Sequence, residues 1–107
     1  MPATILASRQ VPAGGGGITR IILLIATTTT GAAVANTDYV YICSGTFTFT
    51  FPTAVGNKNR YSLINEGTGV ITAVFTAGQN ANNSTSVVLN PEVALDFISN
   101  NTNYRIF

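Results

Sequence analysis

Three threonines and three phenylalanines alternate without interruption over residues 46–51. Successive side chains of a β-strand point to opposite faces of its sheet. The alternation therefore places Phe47, Phe49 and Phe51 on one face and the threonines on the other. Pro52 ends the segment, because proline cannot donate a hydrogen bond to a neighbouring strand. This segment predicts a β-strand with one buried face.

The rest of the chain after residue 17 has the same organisation, with short apolar segments separated by turn residues. Residues 18–26 are almost continuously apolar, which is typical of a strand covered on both faces, and tyrosines alternate with aliphatic residues over 38–43. Further strands are predicted in five segments, 60–65, 70–76, 86–89, 92–99 and 104–107. About eight strands at roughly ten-residue spacing are typical of a sandwich or barrel. We therefore predict an all-β fold, a compact antiparallel β-sandwich or barrel-like module without helices.

Aromatic residues dominate the candidates for packing. Five phenylalanines are predicted to lie in the core or at a trimer interface, namely Phe47, Phe49, Phe51, Phe75 and Phe97. Five aliphatic residues are the other core candidates, namely Val40, Ile42, Leu63, Ile71 and Leu95. The four tyrosines could instead stack on sugars or bases, but alternating strands favour a place for them in a core or a subunit interface.

Residues 1–17 differ from everything after them. They contain two prolines and end in four consecutive glycines at 14–17. Proline removes backbone donors and glycine adds flexibility, so we predict an extended N-terminal arm or linker over residues 1–17 and a single β domain over 18–107.

The arm is the predicted attachment segment. An extended chain spans at most about 3.3–3.6 Å per residue, so a short arm can cover a long stretch of a partner's surface. Ile5, Leu6 and Val11 would be buried against that partner, and strand-like hydrogen bonds would add to the binding. Arg9 would either contact an acidic group or stay solvated. Two alternatives are that the arm packs on its own domain or clamps neighbouring copies within an oligomer.

The charge content excludes several classes of partner. Only 8% of the residues are charged, and five basic and four acidic residues leave a net charge of +1. Nucleic acid binding depends on clustered cations, so we predict no nucleic acid partner. The longest strongly apolar segment is also far shorter than the roughly 20 residues of a transmembrane helix, so we predict no membrane partner. Disorder is excluded because 46% of the residues are hydrophobic.

Few residues are suited to catalysis or to binding a cofactor. The chain has no histidine, one cysteine and four scattered carboxylates, so a general base near neutral pH would have to be Lys58 or a carboxylate with a shifted pKa. The glycines at 14–17 lack the lysine and hydroxyl residue of a phosphate-binding loop. Cys43, in an apolar strand, is predicted to be a buried inert thiol rather than a reactive or bridging one. We predict no enzymatic activity, no catalytic residue, no cofactor and no metal.

Unprotected strand edges favour self-association. The segments 21–28 and 46–51 have high β propensity and hardly any charge, and such segments aggregate when they are exposed. The chain has few lysines or glutamates to protect its edges, so we expect another copy of the chain to cover them. This predicts a homo-oligomer.

The order of the strands from residue 38 to residue 107 resembles short β modules of bacteriophage virion proteins, found at fibre tips and on capsid surfaces. The matching segments are an aspartate-led strand at 38–42, a Thr-Phe strand closing on proline at 48–52, a loop of small and basic residues at 56–61, an Asn-Glu-Gly-Thr-Gly turn with an Ile-Thr strand at 65–72, and a final pair of strands around Ser-Asn-Asn-Thr at 93–106. The chain departs from the pattern in two places. Tyr104 stands where a closing tryptophan is usual, and residues 77–85 lack an Ile-x-Gly centre.

The resemblance implies a non-enzymatic virion component that assembles as a homotrimer. No shaft repeats or coiled-coil heptads precede residue 18, which favours a free-standing module over the tip of a long fibre. We therefore expect a bacteriophage capsid decoration (cement) protein on the capsid surface of the virion, binding the outside of the major capsid protein shell and stabilising it. The alternative is a tail- or head-fibre tip module that binds a host-surface carbohydrate receptor.

Overall fold

Nine β-strands and no helix make up residues 17–107, the part of the chain that this computed structural model describes. The strands are β1 (Thr19–Ile25), β2 (Thr29–Thr30), β3 (Thr37–Cys43), β4 (Phe47–Thr50), β5 (Arg60–Asn65), β6 (Ile71–Val74), β7 (Ser86–Leu89), β8 (Ala94–Ser99) and β9 (Tyr104–Ile106). The predicted all-β class is confirmed. The predicted arm, with Ile5, Leu6, Arg9 and Val11, lies outside the described residues except for Gly17.

The chain alternates between two sheets. A five-stranded sheet has the order β1-β3-β5-β8-β9, and a four-stranded sheet has the order β2-β4-β6-β7. Strands β1, β3 and β5 are parallel, as are β2, β4 and β6, because each loop crosses to the other sheet and the chain returns one position along in the same direction. Among the described strands, the antiparallel pairs are β5 with β8, β6 with β7, and β8 with β9. The prediction of an antiparallel module is therefore wrong for the first six strands, and neither sheet closes into a barrel.

Aromatic rings from both sheets meet in one core. Phe51, fully buried, lies at its centre, with ring centroids 4.6 Å from Phe97, 4.8 Å from Tyr104 and 5.0 Å from Phe49. The ring of Tyr41 packs edge-on against Phe49 across the sheets at 4.7 Å. Buried aromatic pairs of this geometry add to the stability that comes from burial alone.

The tyrosine face of β3 points inward, contrary to one expectation from the sequence. Tyr39 and Tyr41 are each only 2% exposed, whereas Val40 and Ile42, expected in the core, lie half-buried on the opposite face. The hydrogen bonds of the tyrosine hydroxyls account for this orientation of β3. The hydroxyls accept hydrogen bonds from the backbone N–H groups of Val34 (3.1 Å) and Ala32 (3.0 Å), so the polar tips of the tyrosines hold the loop between β2 and β3.

The remaining core candidates are divided between full and partial burial. Leu63 and Ile71 are fully buried, whereas Leu95 is half-buried and packs against the edge of the core. The expectation that residues 18–26 are covered on both faces is wrong for the described part of the chain, because Leu23 and Leu24 are 37% and 67% exposed.

Asparagines make several of the tight turns. Within residues 17–107, four of the five non-glycine residues with positive φ are asparagines, at Asn36, Asn82, Asn83 and Asn101. Asparagine tolerates this left-handed conformation better than most residues because its short side chain bonds locally to the backbone. The high asparagine content is therefore partly a consequence of the turns this fold needs.

Candidate interaction surface

The outward faces of the two sheets have different chemistry. On the five-stranded sheet, the outward residues of β1, β3 and β5 include five aliphatic ones, of which Ile22 is buried (7% exposed) and the others are half-buried or exposed, namely Leu24, Val40, Ile42 and Ile64. On the four-stranded sheet, the matching positions of β4 and β6 are Thr48, Thr50, Thr72 and Val74. A solvent-facing sheet surface is ordinarily polar. The aliphatic residues mark the outer face of the five-stranded sheet as a candidate interaction surface.

Strand register arranges this outer face in rows. Leu24, Ile42, Ile64 and Ala94 are consecutive partners across β1, β3, β5 and β8, and they form an apolar row at one end. Adjacent strands lie about 4.8 Å apart, so these four positions span roughly 14 Å of continuous apolar surface. Leu24, the most exposed of the aliphatic residues, lies at the open side of the sheet.

A charged row crosses the other end of the same face. Arg20, Asp38 and Arg60 are consecutive register partners, so the charges alternate in sign from strand to strand. Opposite charges on neighbouring strands attract, and this arrangement leaves no concentration of one sign. The surface therefore suits a protein partner with mixed polarity better than a polyanion.

Asp96 joins the charged row to the end of the chain. Its carboxylate lies 3.6 Å from the Arg60 guanidinium and accepts a short hydrogen bond from the Ser62 hydroxyl. The Arg60 guanidinium also lies over the ring of Phe107, 5.2 Å from its centroid. The ion pair is half-exposed and adds little to stability, but its side chains form one wall of a shallow concavity of about 280 Å³.

The residues predicted to pack are in the interior of the single chain. Phe49, Phe51 and Phe97 are fully buried, and Phe47 and Phe75 are 8% and 9% exposed. They do not contribute to the outer face, and their role at a trimer interface stays a prediction. The four tyrosines are also buried, so none of their rings is accessible for stacking on a sugar or a base.

Cys43, the last residue of β3, is fully buried and is a free thiol. Burial disfavours the thiolate and raises the pKa of Cys43 to about 11. The thiolate is the nucleophilic form, so this side chain is not suited to react or to bind a metal while the protein is folded.

A buried polar network was not anticipated from the sequence. Asn57 donates to the hydroxyls of Tyr61 (2.9 Å) and Tyr104 (3.1 Å), and Asn59 donates to the carbonyl oxygen of Val34 (2.7 Å). Asn65, fully buried, donates to the carbonyl oxygens of Gly69, in the loop before β6, and of Leu89, at the end of β7. These asparagines lie in segments that the sequence presents as an ordinary polar loop and a strand end, and only tertiary contacts reveal their role.

The described part of the chain offers no other kind of site. No three side chains of the metal-binding types gather within it, and residues 17–107 contain no helix long and apolar enough to cross a bilayer. The two rows of the outer face are therefore the candidate site that we consider further.

No family model matches this chain, and neither the curated proteins nor the solved structures include one that is significantly similar to it.

Proposed function

We propose that this protein is a non-enzymatic structural component of a bacteriophage virion, a capsid decoration protein that binds the outside of the major capsid protein shell and stabilises it. The observation that carries the proposal is the contrast between the two outer faces, aliphatic on the five-stranded sheet and threonine-rich on the other. In this proposal the two sheets form a sandwich-like module, and its aliphatic face lies against the shell.

The energetics of such docking agree with the composition of the face. Burying the exposed part of each aliphatic side chain contributes about 25 cal/mol per Å² of apolar area removed from water. The apolar row of Leu24, Ile42, Ile64 and Ala94 therefore provides an apolar patch. The alternating charges of Arg20, Asp38 and Arg60 border this patch and would fix the orientation of the partner, as polar rims do in protein interfaces.

The arm has a complementary part in this proposal. The described chain begins at Gly17, two residues before β1, and β1 forms one side of the outer face. An arm that leaves from this point can continue the contact along the shell, with Ile5, Leu6 and Val11 as its apolar anchors. The resemblance described above implies three copies per assembly, and we propose this number for the protein bound to the shell.

An add-back experiment tests the function. Shells assembled from the major capsid protein of the same genome are mixed with the purified full-length chain, and binding is measured by co-sedimentation and by electron microscopy. The proposal expects saturable binding at regular positions on the outer surface and a higher temperature of shell disruption. Two charge-introducing variants in the arm, Ile5→Asp and Leu6→Asp, are expected to weaken binding without unfolding the domain.

Two results would contradict the proposal. Absence of binding to shells at micromolar concentrations is one of them. The other is location of the protein at fibre tips in virion images together with selective binding on a glycan array, which would favour the fibre-tip alternative.

A further inference from the structure

Strand β1 has an open edge in the described part of the molecule. The N–H of Thr19 donates to Asn36, and the carbonyl oxygen of Ile25 accepts from Ser44, both on the side of β3. Backbone groups alternate in direction along a strand, so Thr19, Ile21, Leu23 and Ile25 all bond towards β3. Arg20, Ile22 and Leu24 therefore direct three N–H and three C=O groups away from β3, and no described strand pairs with them.

The side chains of this edge are unusually apolar. Five of the seven residues of β1 are isoleucine or leucine, and Arg20 is its only charged residue. Leu24 is 67% exposed and Leu23 is 37% exposed. Proteins ordinarily protect an open edge with charges, prolines or a bulge. This edge has none of these except Arg20 at one end, so its chemistry favours pairing with another strand.

We propose that β1 pairs with β1 of a second copy of this chain, antiparallel, around a two-fold axis at Ile22. The register follows from the open edge. With Ile22 opposite Ile22 of the second copy, Arg20 lies opposite Leu24 in both halves. All three pairs are then of the hydrogen-bonded type, and each exchanges two backbone bonds. This register satisfies every outward N–H and C=O group of both strands.

Charge placement supports a second copy as the occupant. An antiparallel pair centred at Ile22 places each Arg20 opposite an uncharged leucine. The two Arg20 positions are separated by four residues along the strands, about 13 Å at strand spacing. This distance exceeds the screening length of about 8 Å at physiological ionic strength, so the two arginines hardly repel each other. The same register places Leu23 beside Ile21 of the second copy on the inner side and covers its exposed surface.

The assembly has a consequence for the outer face. Paired residues of antiparallel strands point to the same side of the sheet, so the two outer faces join into one continuous surface of ten strands. Each copy contributes its apolar and charged rows to this surface. The pairing forms between two copies in solution and does not depend on a shell, so it is measured separately from the proposed capsid binding.

Substitution of Leu24 by residues of opposite charge tests the register. The dimer contains two pairs in which residue 24 of one copy lies opposite Arg20 of the other. Leu24→Lys places a cation opposite Arg20 in both pairs, whereas Leu24→Glu places an anion there. Both variants lose the same leucine, and Leu24 is largely exposed in the single chain, so the fold is expected to tolerate both. Two cross-strand charge pairs predict a dimer dissociation constant about tenfold or more weaker for Leu24→Lys than for Leu24→Glu.

Matched variants on the other sheet provide the control. Val88, 52% exposed on the edge strand β7, is changed to Lys and to Glu, and neither change is expected to alter the mass of the assembly. Analytical ultracentrifugation of the full-length wild type is expected to give twice the 11.2 kDa chain mass. Circular dichroism verifies that each variant is folded.

Several outcomes would overturn this inference. A wild-type monomer throughout the micromolar range excludes the pairing, and a mass of three chains excludes the two-fold axis. Equal weakening by Leu24→Lys and Leu24→Glu shows that Arg20 of the second copy is not opposite this position. Dissociation caused by Leu6→Asp in the full-length chain shows that the N-terminal segment, and not β1 of a second copy, occupies the edge.

Discussion

The side-chain amide of Asn57 donates a hydrogen bond of 3.1 Å to the hydroxyl of Tyr104, which lies 47 residues further along the chain. The same amide donates to Tyr61, and the Tyr104 hydroxyl in turn donates to the carbonyl oxygen of Pro52. One loop residue thus connects β5, β9 and the end of the Thr-Phe segment. The outer face depends on this connection, because β5 and β9 belong to the sheet that carries it.

Asn57→Ala is expected to lower the free energy of unfolding by about 1–3 kcal/mol, because buried hydrogen bonds to two tyrosine hydroxyls and to the backbone N–H of Asn59 are lost. Chemical denaturation with an unchanged slope measures this loss. Lys58→Ala, at the exposed neighbouring position, is the control and is expected to change the free energy by less than about 0.5 kcal/mol. Equal effects of the two substitutions would contradict the role given to the network.

Gly69→Ala is expected to destabilise the fold by about 1–3 kcal/mol through overpacking. A β-carbon at Gly69 would overlap the carbonyl oxygen of Gly45 and the hydroxyl of Thr46, where the loops before β4 and β6 touch. Thermal unfolding measures the effect. Gly78→Asn is the control, since that position has open space and a positive φ that asparagine tolerates. A neutral Gly69→Ala variant would mean that the two loops are further apart than the structure shows.

Glu92→Gly is expected to stabilise the protein, by up to about 1 kcal/mol. Glu92 has φ of +68°, a conformation that costs a residue with a β-carbon about 1–2 kcal/mol, and glycine avoids this cost while losing more chain entropy on folding. Glu66→Gly, in a turn without positive φ, is expected to be neutral or destabilising. If both substitutions destabilise equally, the strain at Glu92 is not relieved by glycine.

Stability is expected to decline as the pH rises from about 9 to about 11. Burial raises the pKa of Cys43 from 9.0 to about 11, so the unfolded chain releases the thiol proton at a lower pH than the folded protein does. The contribution of the protonated thiol to stability is therefore complete below pH 9 and is lost as the pH rises to about 11. Burial also raises the pKa values of Tyr41, Tyr61 and Tyr104, which extends the decline to higher pH.

Denaturation midpoints at several pH values measure this dependence. In the Cys43→Ala variant, stability is expected to decline only at the pH where tyrosines titrate, above about pH 10. The native thiol is also expected to resist alkylation at pH 8 and to react after unfolding. Rapid alkylation of the native protein would contradict the burial of Cys43.

The alternation of phenylalanine and threonine made β4 predictable, because only one of its faces is apolar. Strand β3 was ambiguous, because tyrosines occupy one face and aliphatic residues the other. Its orientation is decided by the backbone groups of Ala32 and Val34, which the tyrosine hydroxyls reach only in the folded chain. These partners lie only nine and five residues away, but the alternation of side chains along β3 does not indicate them.

The direction of the strands could not be predicted from local sequence patterns either. Short turns at 44–46 and 66–70 are compatible with hairpins, yet both carry the chain across to the other sheet. A related error kept the candidate surface from being predicted. With Val40 and Ile42 assigned to the core, an aliphatic outer face was not expected, and it is evident only from the register of β3 with β1 and β5.

The most direct test of the proposed docking face compares shell binding by two double variants of the full-length chain. Ile42→Thr with Ile64→Thr makes the outer face of the five-stranded sheet resemble that of the other sheet, and Thr48→Ser with Thr72→Ser alters the other outer face alone. Loss of two partly buried aliphatic side chains predicts at least about tenfold weaker binding to capsid shells for the first variant, and unchanged binding for the second. Equal affinity of the two folded variants for the shell would contradict the account.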